Sequence, residues 1–258
     1  INILSELSND IDEILKNERN KEFSKNSNYS VFDYHKWILK SNLTSEDKQA
    51  ITERISLQVT KKWSNITDDN WKKVPELKSF YDEASSTTRK DLNNYIKQIS
   101  KEELNKESKR IFGIDIPTYK KTYAKNLNFF YEPTSQNYYV LLTHGGGATS
   151  IYDYGYKSSF RLVGDTAYVY MSFAYLEEFD KSSAPNDEII KIYKDFKIIE
   201  DNPNNNILIN RYQKNKTVTS INQFNLNESN YQNFSEYEFK FKKDSNGNFY
   251  FENIQQIK

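Results

Sequence analysis

The stretch Ser100-Lys-Glu-Glu-Leu-Asn-Lys-Glu-Ser-Lys-Arg-Ile-Phe-Gly-Ile-Asp115 decides how the chain is read. Ser100 with Glu103 three residues on is a helix-start pattern, the hydroxyl accepting from a backbone N–H of the first turn. Leu104, Ile111 and Phe112 share one side of that helix, and Gly113 stands where a left-handed residue closes it. Gly113 is also the first of seven glycines, and Pro75 is the only proline before it. Residues 1–112 therefore carry almost no chain breakers, whereas 16 of 20 tyrosines and 12 of 16 phenylalanines follow residue 118. The expectation is an α+β protein: a helical region over residues 1–112, then a curved antiparallel sheet of hairpins over 113–258.

Upstream of Ser100, the helical spacing of Leu92, Tyr95, Ile96 and Ile99 predicts a further helix. Pro75 suits a first helical position and would bring Leu77, Phe80 and Tyr81 to one side. Thr44 or Ser45, followed by acids, opens a helix with Ile51, Ile55, Val59 and Trp63 at i, i+4 spacing. Leu4, Leu7, Ile11, Ile14 and Leu15 predict an amphipathic helix over 3–17, and 18–34 reads as a polar loop. Trp37, Trp63 and Trp71 read as core.

Downstream, residues 128–131 and 138–143 form a hairpin across 132–137. Gly164-Asp165 joins 159–163 to the long run 166–177, and Asn246-Gly247 joins 236–242 to 248–257. In the long run Ala167, Val169, Met171, Phe173 and Tyr175 alternate with Tyr168, Tyr170, Ala174 and Leu176. Both faces are apolar or aromatic, which predicts a central strand covered on both sides. Residues 186–199 fit helix or strand and lean to strand, with another run at 207–212. Residues 213–235 read as a long polar loop plugged by Phe224.

Thirty-six basic and thirty-six acidic side chains cancel, and neither sign forms a long run, so no nucleic-acid or anionic-membrane partner is expected. Cysteine is absent, which excludes disulfides, thiolate metal sites and a cysteine nucleophile. No stretch approaches the roughly 20 apolar residues of a membrane helix. Thirty asparagines and thirty lysines against six arginines suggest an AT-rich genome. Absent cysteine, a polar surface and a first residue, Ile1, that is not methionine suit an exported chain whose start was trimmed. The expected location is extracellular or cell surface, with any lipid anchor upstream of Ile1.

Two constellations are candidates for function. His144-Gly145-Gly146-Gly147 resembles the oxyanion loop of lipases and esterases, but the nucleophile elbow of that family is missing and His35 is the only other histidine. Those glycines either permit a sharp turn or bulge, or present N–H groups of Gly145, Gly146 and Gly147 as a ligand-binding rim. Tyr152, Tyr154 and Tyr156 alternate onto one face, with Tyr138, Tyr168 and Tyr170 as possible cross-strand neighbours and Arg161 and Asp153 as polar members. That face is either packing or a site for sugars, peptides or proteins. No metal-ligand spacing and no phosphate-binding loop is present, so neither metal nor cofactor is expected.

The run over residues 100–115, the aromatic hairpins, the Gly-rich turn and the closing Asn-Gly hairpin resemble secreted lipoproteins of low-GC Gram-positive bacteria. The resemblance covers residues 100–258. It implies a cystatin-like or nuclear-transport-factor-like α+β cone, in which a curved sheet wraps a helix and leaves a concave pocket. It carries no catalytic residues. The functional expectation is a non-catalytic binding module for a small ligand, glycan or envelope protein. The alternatives are an envelope scaffold using the helical half, or a metal-independent hydrolase or isomerase that would need a buried acid of raised pKa beside the tyrosines.

Overall fold

The computed structural model describes residues 43–124, 127–142, 149–179, 190–193, 207–210 and 224–258. The expected helix over 3–17 and the loop over 18–34 lie outside them. The chain forms α1 (Ser45–Gln58), β1 (Ser64–Asn65), α2 (Pro75–Glu83), α3 (Ser86–Lys90), β2 (Ile96–Ser100), α4 (Lys101–Phe112), β3 (Lys121–Ala124), β4 (Leu127–Glu132) and β5 (Asn137–Leu141). There follow β6 (Thr149–Val163), β7 (Thr166–Phe179), β8 (Ile190–Tyr193), β9 (Ile207–Asn210), β10 (Glu236–Lys243) and β11 (Phe249–Gln256). The fold is α+β, but with two antiparallel sheets where the hairpins suggested one. The first runs β1-β2-β5-β4-β3; the second runs β11-β10-β7-β8-β9, with β6 also on β7.

Two compact units contain them. The first lies within Ser27–Gly145 and Asp244–Phe251, the second within Gly146–Lys243 and Glu252–Lys258 among the described residues. Residue 112 is not a seam, because β2 before it pairs along its whole length with β5 beyond it, from Ile96↔Leu141 to Ser100↔Asn137.

Local chemistry sets the helix ends. Thr44 Oγ1 accepts from Asp47 N at 3.1 Å while Asp47 Oδ2 accepts from Thr44 N at 3.0 Å, a reciprocal capping box for α1. Pro75 is at the start of α2. Ser100 Oγ accepts from Glu103 N at 3.1 Å to open α4, and Gly113 closes it with φ 71°.

Two helical expectations fail. Ile96–Ser100 is a strand, not a helix; only the 3-10 turn Leu92–Asn94 precedes it. The apolar spacing there spans barely two turns, which fits either period, and pairing with β1 and β5 on opposite edges wins. Helix α1 ends at Gln58, so Trp63 leaves the expected stripe; its ring packs against Phe129 at 5.5 Å and its Nε1–H donates to Ser56 Oγ at 2.7 Å.

In the first unit, helices cover both faces of the sheet. Ile96, Phe130 and Tyr139 pack with Trp71, Val74, Leu77 and Leu92. Opposite, Leu127, Phe129 and Val140 meet Ala50 of α1, and Ile99 and Tyr138 meet Leu104 of α4. The tip of the last hairpin belongs here too: Phe251 lies edge-on to Phe112 at 6.1 Å.

In the second unit β7 is central, as its two apolar faces predicted. One edge takes β6 along the whole strand; the other is shared by β10, opposite Thr166 to Ser172, and β8, opposite Tyr175 to Glu178. Ala167, Val169, Phe173 and Tyr175 bury one face. On the other, Phe224, Leu226 and Phe234 cover Ala174, Leu176 and Ile192. Phe224 is thus the plug the sequence suggested, and residues 213–223 lie outside the described chain.

Candidate functional site

The tyrosine face divides into a dry half and an open half. In the dry half, Tyr154 meets Phe224 edge-on at 5.5 Å and Tyr156 stacks on Tyr231 at 5.0 Å. These two tyrosines are packing. Tyr152 pairs with Leu176 and Asp153 with Tyr175 in the backbone register, but their side chains lie outside the described residues, as do His144, Gly145, Gly146 and Gly147. Tyr138 cannot neighbour the others across a strand: it sits on β5 of the first sheet, 1% exposed, between Ile99, Leu104 and Ile116.

The open half is built by a β-bulge in β6 between Lys157 and Ser159. Before it Tyr154 and Tyr156 face Ala174 and Ser172; after it Ser159 faces Tyr170 and Arg161 faces Tyr168. The one extra residue therefore turns odd-numbered positions onto the face that even-numbered tyrosines occupied. Ser158, the extra residue, reaches Tyr170 O at 3.2 Å and the Glu236 carboxylate with its hydroxyl. Alternation read from sequence alone would have put Arg161 on the opposite face.

Across β6, β7 and β10 this leaves two polar aromatic rungs. Arg161, Tyr168 and Lys240 form one; Ser159, Tyr170 and Glu238 form the next. The Arg161 guanidinium lies over the Tyr168 ring at 4.5 Å, and its positive charge acts to lower the Tyr170 pKa. Tyr170 donates its phenol proton to Glu238 Oε2 at 2.6 Å. That bond, with burial, holds the phenol above its ordinary pKa. Glu252 bridges Lys240, at 2.7 Å, and Lys242. Arg161 is exposed, while Tyr168, Tyr170, Glu238 and Lys240 are half-buried. Rings and charges are thus held in place and still open to solvent.

Sequence reasoning missed a second feature, Glu53 on α1. It is fully buried, receives Gln49 Nε2 at 2.8 Å and bonds the Thr122 hydroxyl. Burial raises its pKa to about 8, against those two hydrogen bonds, so the carboxyl is neutral at pH 7. Its charge, when present, also adds to the burial that lifts Tyr138 to about 12. A buried acid of raised pKa beside a tyrosine is what an enzyme reading required. Glu53 is however sealed, 0% exposed, with both oxygens bonded inside the packing of helix on sheet, which makes it a structural acid. No spacing signal could have found it, since its partner Thr122 on β3 lies far along the chain.

Among the described residues no group of His, Asp or Glu converges to hold a metal, and no helix is long and apolar enough to cross a membrane. The elements and the site define an α+β protein with two antiparallel sheets and a polar aromatic sheet face. No protein-family model matches the chain, and neither curated proteins nor solved structures furnish a match.

Proposed function

We propose that the chain is a non-catalytic binding module of a secreted or cell-surface protein, recognising its ligand through the open rungs Arg161–Tyr168 and Tyr170–Glu238. The observation that carries this reading is the Arg161 guanidinium fixed 4.5 Å over the half-buried Tyr168 ring, beside a carboxylate-anchored Tyr170. An aromatic ring flanked by fixed donors and acceptors suits a sugar ring, which presents an apolar face and hydroxyl edges together, so a glycan is the favoured class over a small apolar ligand. The envelope-scaffold alternative called for an exposed apolar patch on the helices. The exposed large apolar side chains among the described residues are Ile114, Tyr123, Val163 and Ile257, none of them helical.

The test is a thermal-shift screen of cell-wall fragments and oligosaccharides, followed by calorimetry on the best binder. Arg161→Ala and Tyr168→Ala should each weaken binding about tenfold or more with little change in melting temperature. A screen in which no saccharide raises the melting temperature, or a binder indifferent to both variants, would remove the reading.

A further inference from the structure

A cleft of about 650 Å³ opens in the first unit, between the start of α2 and the β4–β5 hairpin. Its size is that of a site for a drug-sized or dipeptide-sized molecule. The floor is apolar and fixed: Val74 and Phe130 are each 5% exposed and belong to the Trp71 core, and Pro75 and Pro133 extend it. Such a floor gives a ligand's apolar body a surface that does not have to rearrange.

The charges around the floor do not balance. Two acids line the cleft, and each is already occupied. Glu76 is held by Lys121 Nζ at 3.1 Å. Glu132 accepts from the backbone N–H of Thr134 at 2.9 Å and Ser135 at 2.7 Å, within its own turn. The remaining charged lining residues, Lys73 and Lys120, are exposed and have no acidic partner within 4 Å among the described residues. The surplus at the rim is therefore positive, and it stands above an apolar floor. Neither ammonium makes the planar fork of an arginine, so a single carboxylate suits the rim better than a phosphate.

We propose that this cleft is a second binding site, taking a small organic carboxylate with an apolar body. The carboxylate meets Lys73 and Lys120, and the apolar part covers Phe130 and the two prolines. Because the cleft lies in the first unit and the tyrosine rungs in the second, either site can fail without the other.

Calorimetry on the whole chain at low salt, with N-acetyl-phenylalanine as probe, tests the proposal. Its uncharged amide and inorganic phosphate are the controls. The acid should bind at least about tenfold tighter than the amide and than phosphate, and weaken as salt is raised. Lys73→Ala/Lys120→Ala should reduce that binding about tenfold with the melting temperature unchanged, since both side chains are exposed. Lys120→Glu alone should act in the same direction. No heat at millimolar acid, equal binding of acid and amide, phosphate binding as tight as the acid, or a double variant that binds as the parent does would each overturn it.

Discussion

Glu53 carries the strongest conflict between burial and charge among the described side chains. Unfolded, its carboxyl ionises near 4.5; folded, near 8. Between those values folding takes up a proton, so the stability it allows is full below about pH 4.5 and falls as pH rises, by at most about 1.4 kcal/mol per unit. Glu53→Gln keeps the shape: its oxygen can accept from Gln49 as Glu53 Oε1 does, and its amide can donate to the Thr122 hydroxyl in place of the oxygen that accepts from it. The variant should melt higher than the parent at pH 8, match it at pH 4, and lose the slope between. Parallel melting curves for the two proteins across pH 4, 6 and 8 would show that Glu53 does not titrate in this way. Gly113 makes a different demand, a backbone one. Its φ of 71° is the left-handed region, and a Cβ built there would stand 2.8 Å from the Tyr250 ring. Gly113→Ala should cost about 1–2 kcal/mol from the backbone alone, and more from displacing the ring. Denaturant unfolding measures it; an unchanged midpoint would mean that the cap is not needed.

The bulge at Ser158 organises the second sheet. Deleting Ser158 would restore plain alternation in β6. Phe160 and Leu162 would stay opposite Val169 and Ala167, and Arg161 opposite Tyr168, because the residue removed has no partner on β7. What the sheet loses is the Ser158 hydroxyl's bonds to Tyr170 O and the Glu236 carboxylate, each worth about 0.5–3 kcal/mol. The deletion and Ser158→Ala should therefore lower the unfolding midpoint by similar amounts, a comparison made by equilibrium denaturation; a deletion that costs several times more would show that the bulge itself shapes the sheet. This element also marks where sequence reading stops. The Ser100 cap, Gly113, Pro75, the Gly164 hairpin and central β7 were readable because each depends on chemistry within a few residues. The strand at Ile96–Ser100 was not, because a short apolar run fits two periods until its partners on β1 and β5 are known. The two-sheet division and the placing of Tyr138 away from Tyr154 and Tyr156 are likewise set by pairing over long separations. Arg161 lies opposite Tyr168 although parity with Tyr154 and Tyr156 argued against it, and only the bulge explains why it is there.

Charge and fluorescence probes fall unevenly over the molecule, which makes its two units distinguishable in solution. Trp63 and Trp71 lie in the first unit, and the described residues of the second unit hold no tryptophan, so the emission of those two reports the first unit. That unit also holds two acids with opposite shifts. For Glu132, burial alone would raise the pKa, but the turn N–H groups of Ser135 and Thr134 outweigh it and bring the carboxyl to about 2. Its contribution is full above about pH 4.5 and is lost as pH falls toward 2, whereas that of Glu53 is lost as pH rises toward 8. Together they place the unit's best stability in mildly acidic solution, near pH 5. In the second unit Glu252, between Lys240 and Lys242, has a lowered pKa despite its burial, which affects only the acid side. Heating followed by tryptophan emission should therefore give a midpoint that drops between pH 5 and pH 8. Near-UV circular dichroism, to which tyrosines of both units contribute, should move less over the same range. In Glu53→Gln the tryptophan midpoint should hold steady. A tryptophan midpoint equal at pH 5 and pH 8 in the parent protein would contradict the burial of an ionisable Glu53. Equal drops in both signals would instead show that the two units unfold as one cooperative block.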